Sequence, residues 1–260
     1  MSNFEFDGCK YMNASKHQKE WGNKIISELN LKGDENILDL GCGDGVLTKQ
    51  LCNMVPQGYV LGIDASKGML DTAKKSENKN LKFQLMDIND LNFSNEFDLI
   101  FSNATLHWIK DHKKLLVNCH TALKSGGIIR FNFAGDGNCT NFFAVVKEVI
   151  KYEDFHKYFE KFQWPWYMPT IEEYKSLAKD SNFANIDVCG ENTDRYFDNA
   201  DEMTRWIDQP SLVPFLKQIN DEKDRKIFRD KVVKTMIERT QNEAGKCFET
   251  FRRINIFAGK

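Results

Sequence analysis

Between residues 35 and 133, five short apolar runs alternate with stretches whose apolar residues recur at helical spacing. NILDL (36–40), YVLGI (59–63), LKFQLM (81–86), FDLIFS (97–102) and GIIRFNF (127–133) read as strands. VLTKQLCNMV, SKGMLDTAKK and HKKLLVNCHTALK, which lie between them, read as helices. Ser66 stands where an N-cap belongs, and Gly126-Gly127 stands at the end of the last helix. Crossovers of this length imply parallel strands with helices on both faces of the sheet. The expected class is α/β, doubly wound and mostly parallel.

Residues 14–31 read as a helix with Trp21, Ile25, Ile26 and Leu29 on one side. After Phe133 the alternation stops. Residues 142–167 carry ten aromatics in 26 positions, with Tyr152, Phe155, Phe159 and Phe162 at helical spacing, a pattern that favours core. Trp164-Pro165-Trp166-Tyr167 breaks that spacing and reads as a loop lining a pocket. NFANIDVC (182–189) reads as a return strand, 201–243 as mostly helical, and FETFRRINIFA (248–258) as a closing strand. The expectation is a single domain over 1–260. Its core is about 30–135 plus 182–190 and 247–260, and a helical lid covers about 138–181 and 198–245.

Composition excludes several classes. Lys and Arg number 36 against 38 Asp and Glu, a formal charge of −2 with no basic run, so nucleic acid and anionic membranes are not expected partners. No stretch approaches 18 apolar residues, and the first residues lack a secretory pattern. The seven cysteines show no Cys-x-x-Cys or Cys/His metal spacing. These features lead us to expect a cytoplasmic protein with reduced thiols and no metal.

The strongest motif is Asp39-Leu40-Gly41-Cys42-Gly43-Asp44-Gly45, directly after a strand and before a helix. Glycines there let the backbone turn sharply and let a ligand approach the main chain. A dinucleotide fingerprint would place its third glycine at position 46, which is Val46. Asp39 would also repel a pyrophosphate, so the loop suits a cofactor without phosphates. Asp64 ends the second strand, where ribose hydroxyls are bound, and Asp87 ends the third, beside an expected adenine.

LDLGCGDG, GIDASKGML, QLMDI, FDLIFSNATLHWI and LKSGG together resemble class I S-adenosylmethionine-dependent methyltransferases, over roughly residues 10–135. Ser102-Asn103-Ala104-Thr105-Leu106-His107-Trp108 narrows the resemblance to the trans-aconitate methyltransferase group, to which juvenile hormone acid methyltransferases are also similar. The resemblance implies a Rossmann-like, seven-stranded sheet and S-adenosylmethionine as cofactor. It implies that Tyr11 and Gln18 close over that cofactor, and that Asp39, Gly41, Cys42 and Gly43 hold its methionyl part. Asp64 and Ala65 would take the ribose and Asp87 with Ile88 the adenine. Asn103 and Ala104 would pass beside the methionyl part. WIDQPSLVPFL (206–216) and FRRINIFAGK (251–260) resemble the group's substrate side.

The acceptor and the cofactor should meet at His107 and Trp108, just past the fourth strand. A carboxylate acceptor is ionised at neutral pH and needs no general base, whereas amines and hydroxyls more often do. A carboxylate wants an arginine fork, and Arg252 or Arg253 is the favoured source, with Trp108 and Trp166 shaping the rest. In an alternating strand those two arginines point to opposite faces, so one of them should matter. The leading expectation is O-methylation of a small carboxylic acid by a monomer or weak homodimer. A malonyl thioester or an amine as acceptor, and a non-catalytic S-adenosylmethionine-binding regulator, are the alternatives.

Overall fold

All five strands expected before residue 135 form, as β1 (Asn36–Leu40), β2 (Tyr59–Asp64), β3 (Leu81–Leu85), β4 (Phe97–Asn103) and β5 (Leu123–Ala134). The computed structural model describes residues 16–260. With β6 (Ala184–Asn192) and β9 (Arg252–Gly259), these strands make a seven-stranded sheet in the order β3-β2-β1-β4-β5-β9-β6. The pairs β1–β2, β2–β3, β1–β4 and β4–β5 are parallel, and β5–β9 is antiparallel. The order reverses between β1 and β4, and their carboxyl ends flank the crevice where open α/β sheets bind ligands.

Alternation along the strands sends successive side chains to opposite faces. Ile37, Leu99 and Phe101 pack on one face with Ile25 and Ile26 of α1 (Lys16–Ser27), Leu51 of α2 (Val46–Met54) and Leu70 of α3 (Lys67–Ala73). Leu38, Ile100 and Phe131 pack on the other with Leu115 and Leu116 of α4 (His112–Ala122). Ser66 caps α3 as expected, accepting the Met69 amide. Gly126-Gly127 does not end α4. The helix stops at Ala122, because Leu123 is already extended, and Gly126 supplies a positive φ inside β5.

The described residues form two compact units: residues 16–136, 166–191 and 253–260, and residues 137–165 and 192–252. The segment expected as lid over 138–181 is therefore divided. Residues 166–181 join the sheet because Tyr174 and Ala178, on the later helix Ile171–Lys179, complete its hydrophobic core.

The second unit contains α5 (Thr140–Val149), α6 (Glu153–Phe159), β7 (Arg195–Phe197), α7 (Ala200–Trp206), α8 (Val213–Leu216), α9 (Glu222–Thr240) and β8 (Cys247–Glu249). Its aromatic stretch is core: Phe142, Phe155, Phe215 and Phe228 are buried, with Phe142 meeting Phe215 and Phe155 meeting Phe228 edge-on at centroid distances of 6.1 and 5.1 Å. Phe162 and Trp164 stay half-buried.

The closing strand expected over 248–258 breaks at residues 250–251, and Glu249 explains the break. Fully buried, its carboxylate accepts the amides of Asn141 (3.1 Å), Phe142 (2.8 Å) and Thr250 (2.7 Å). It thereby caps the start of α5, whose own N-cap residue Cys139 contributes no side-chain hydrogen bond. Removing that carboxylate leaves buried N–H groups unpaired, at a cost of about 1–3 kcal/mol for a single buried group. Glu249→Ala should lower the urea-measured unfolding free energy by about 3 kcal/mol or more. Glu148→Ala, which breaks an exposed pair with Arg239, should cost under about 1 kcal/mol.

Candidate active site

The glycine loop is held from β2 and β4. Gly41 and Cys42 amides donate to Ile63 O at 2.8 and 3.0 Å, tying the loop to the second strand. Gly41, Gly43 and Gly45 have φ of 72°, 56° and 78°, the left-handed region that side chains disfavour. A Cβ at Gly41 would lie 2.1 Å from the Thr105 side chain, whereas one at Gly43 would meet nothing within 4 Å. Gly41 is thus needed for packing, and Gly43 is open on the side where a ligand would lie. The Asp64 carboxylate accepts the Gly43 amide (3.0 Å) with one oxygen and the Ser66 amide (2.8 Å) with the other.

Asp39 is buried under the loop, where Thr48 Oγ1 donates to it at 2.7 Å. Burial raises its carboxyl pKa from 3.8 to about 7; the Thr48 hydrogen bond opposes this and the charge of Asp64 adds to it. Cys42 is a buried neutral thiol, its pKa raised chiefly by burial.

Helix α1 lies beside this loop. Asn103 Nδ2 donates to Gln18 O at 2.8 Å, and Lys19 pairs with Asp44 at 3.0 Å. Gln18, Lys19, Asp39, Gly41, Gly43 and Asn103 line a cavity of about 50 Å³. Two acceptors there, Gln18 Oε1 and Asn103 Oδ1, are buried with no hydrogen-bond partner among the described residues. Such a site lacks a donor. Tyr11 lies outside the described residues.

Six of the expected cofactor residues (Gln18, Asp39, Gly41, Cys42, Gly43 and Asn103) therefore meet at one cavity. Asp64 ends β2 and Ala65 follows it; neither lines that cavity, but the Asp64 carboxylate holds the amide of Gly43, which does. Asp87 does not end β3 but lies two residues past it, where its Oδ1 already accepts the Asn89 amide and Nδ2, both at 2.8 Å, opening a short turn that buries Ile88. Ala104 has φ 57°, a strained value for a residue with a side chain, and is held there by its amide donating to Asn132 O at 2.7 Å.

His107 and Trp108 sit on a 3-10 turn, Leu106–Trp108, beyond β4. Trp108 faces Trp166, with ring centroids 5.2 Å apart. Burial, with the charges of Arg253 and His112, holds the His107 imidazole neutral, its pKa well below the usual histidine value. The two candidate arginines differ. Arg253 is buried, its Nε and Nη2 donate to Asn132 Oδ1 at 2.9 and 2.6 Å, and its guanidinium lies over the Trp21 ring at 4.4 Å. Arg252 belongs to the second unit and pairs with Asp194. Thr48, Thr105 and Asn132 escaped the sequence reading, because nothing local marks a hydroxyl or amide that acts across strands.

A methyltransferase domain family matches residues 38–131. The chain is 31% identical over 186 residues to malonyl-[acyl-carrier protein] O-methyltransferase 1 of Ilyobacter polytropus, covering 70% of this chain and 68% of that one. It is 44% identical over 93 residues to trans-aconitate 2-methyltransferase of Deinococcus radiodurans, covering 36% and 35%. The chain spans about half or less of the length of most of the curated relatives it matches. Among solved structures it shares its fold with phosphoethanolamine N-methyltransferase 2 of Haemonchus contortus in complex with S-adenosyl-L-methionine. That likeness has a TM-score of 0.59 at 23% identity and covers 93% of this chain and 52% of that one. Together with the loop at the β1/β4 reversal, these matches define the class: the chain belongs to the class I S-adenosylmethionine-dependent methyltransferases. No helix among the described residues is long and apolar enough to cross a membrane.

Two outcomes follow from the loop. Gly41→Ala should destabilise folding by more than about 1 kcal/mol, through its φ and the Thr105 clash. Gly43→Ala should cost about 1 kcal/mol and act mainly on ligand binding; thermal melts and calorimetry separate the two. Asp39 also makes stability depend on pH. A carboxyl whose folded pKa lies above its unfolded value contributes stability that is full below about pH 4 and lost as pH rises through about 7. Urea unfolding from pH 4 to 7.5 should therefore show Asp39→Asn gaining steadily on the wild type.

Proposed function

We propose that this chain transfers the methyl group of S-adenosylmethionine to the carboxylate of a small organic acid, forming a methyl ester. The observation that carries the acceptor class is the buried, preoriented Arg253 guanidinium whose charge reaches His107. An imidazole held this far below its usual pKa is a weak base. It gives little help to an amine or hydroxyl that must lose a proton, whereas a carboxylate arrives ionised. Two relatives support the same class, since trans-aconitate and a malonyl group both carry carboxylates.

The residues at the loop fit the cofactor. Gln18 Oε1 and Asn103 Oδ1 lack a donor, Asp39 is buried beside them, and Gly43 is open, which suits a methionyl ammonium. Asp64, which braces the loop, would take the ribose hydroxyls, and Asp87 with Ile88 would border the adenine. When bound, S-adenosylmethionine supplies a methyl group activated by its sulfonium. The chain's own residues then orient and enclose: Arg253 holds the acceptor carboxylate, and Trp108 with Trp166 walls off water. His107 positions by hydrogen bonding and does not remove a proton.

Labelled S-adenosylmethionine and a panel of small carboxylic acids test this, with ester products identified by mass and by methanol release in alkali. Arg253→Met should lower acceptor kcat/KM at least about ten-fold with cofactor Kd little changed, the size of a charged hydrogen bond. Arg252→Met should behave like wild type. Methylation of amines alone, or full activity in Arg253→Met, would remove the carboxylate reading.

A further inference from the structure

His112 is completely buried on α4, behind the turn that carries His107 and Trp108. Its Nε2 lies 2.9 Å from Leu106 O, and its Nδ1 lies 3.0 Å from the Tyr174 hydroxyl. A carbonyl oxygen can only accept, so Nε2 carries the ring hydrogen. Nδ1 is then an acceptor and Tyr174 its donor, which fixes one tautomer and one ring orientation. Tyr174 is itself fully buried, on the helix Ile171–Lys179, which a capping box at Thr170 and Glu173 starts.

The same turn is anchored at other points. Thr105 Oγ1 donates to Gly41 O at 3.1 Å, linking it to the glycine loop. The Tyr167 amide donates to His107 O at 2.8 Å, and the Tyr167 ring lies 4.8 Å from that of His112. Trp166, the neighbour of Tyr167, faces Trp108. Leu106 O already receives the Ile109 amide at 2.9 Å, so the imidazole supplies its second hydrogen bond. Nothing in cofactor binding requires a histidine here. Leu106 immediately precedes the two residues expected to face the acceptor.

We propose that His112, oriented by Tyr174, is a positioning residue that fixes the His107–Trp108 turn for the methyl acceptor without contributing to cofactor binding. The proposal rests on the methyl-transfer reading for its kinetic part only. Loss of the Nε2–H donor frees Leu106 O, and with it the pitch of the turn that aims Trp108. Cofactor affinity is unaffected, because the loop's main-chain amides are held from β2, by Ile63 O and the Asp64 carboxylate.

His112→Leu removes both hydrogen bonds, and His112→Gln keeps an N–H able to reach Leu106 O. Tyr174→Phe keeps the ring and removes only the hydroxyl. In protein labelled with 15N-tryptophan, the Trp108 indole signal is identified by its loss in Trp108→Phe. His112→Leu should shift or broaden that signal and lower acceptor kcat/KM at least ten-fold, with the Kd for S-adenosylhomocysteine within two-fold of wild type. His112→Gln should restore most of both, and Tyr174→Phe should move the same signal by less. The proposal fails if the Trp108 signal is unmoved in both His112→Leu and Tyr174→Phe. It fails equally if cofactor Kd worsens in step with the acceptor parameters, or if His112→Gln rescues nothing. Should the wild type methylate no acid, the functional reading falls while the Trp108 signal still decides the positioning role.

Discussion

The sheet order reverses between β1 and β4, and the site follows from how the chain leaves those two strands. From β1 it must turn at once into α2 on one face, and from β4 it passes toward α4 on the other. The first exit leaves no room for a side chain at Gly41, where Thr105 already sits, and leaves Gly43 open. The loop is therefore braced from outside: by Ile63 and Asp64 on β2, and by Thr105 just past β4. A loop held from two sides loses little freedom when a ligand arrives, which is what preorganisation means in energetic terms.

A second constraint runs across the sheet. Register places Asn103, Asn132 and Asn255 side by side on β4, β5 and β9. Asn132 Nδ2 and Arg130 Nη1 both donate to Asn255 Oδ1, at 3.0 and 3.2 Å, while Arg253 donates to Asn132. Arg130 also reaches Glu28, just past the end of α1, at 2.6 Å. Such a network contributes little net stability, because desolvation offsets much of the attraction. It does forbid other arrangements, since any shift would leave a buried polar group unpaired. Helix α1 closes one end of the row with Trp21 over Arg253 and borders the glycine loop with Gln18. One helix thus touches both the loop residues and the buried guanidinium.

The strands before residue 135 and the glycine loop were legible because their signals are local. Short apolar runs, a glycine cluster at a strand end and acidic residues at or just past the ends of neighbouring strands need no knowledge of distant contacts. Beyond Phe133 the legible part thinned. The aromatic stretch 142–162 has helical spacing, but spacing alone does not say that Phe142 packs on Phe215 and Phe155 on Phe228. FETFRRINIFA looks like one strand, yet Glu249 turns away to cap α5, more than 100 residues earlier in the chain. That role depends on an N-terminus left without its own cap, which no window around residue 249 contains.

Taken alone, the sequence determined the α/β class, the turn after β1 and the chemistry available at the strand ends, because these depend on residues within a few positions of one another. Tertiary structure decided which polar groups act. Arg252 and Arg253 are adjacent and identical in chemistry, and only the register of β9 puts the second beside Asn132 and Trp21 and leaves the first with Asp194. His112 is one more apolar-face residue of α4 until packing brings Tyr174 and Leu106 to its two nitrogens. Burial then sets the pKa values, lifting Asp39 to about 7 and holding His107 neutral. Desolvation depends on every neighbour at once, so it exists only in the folded chain.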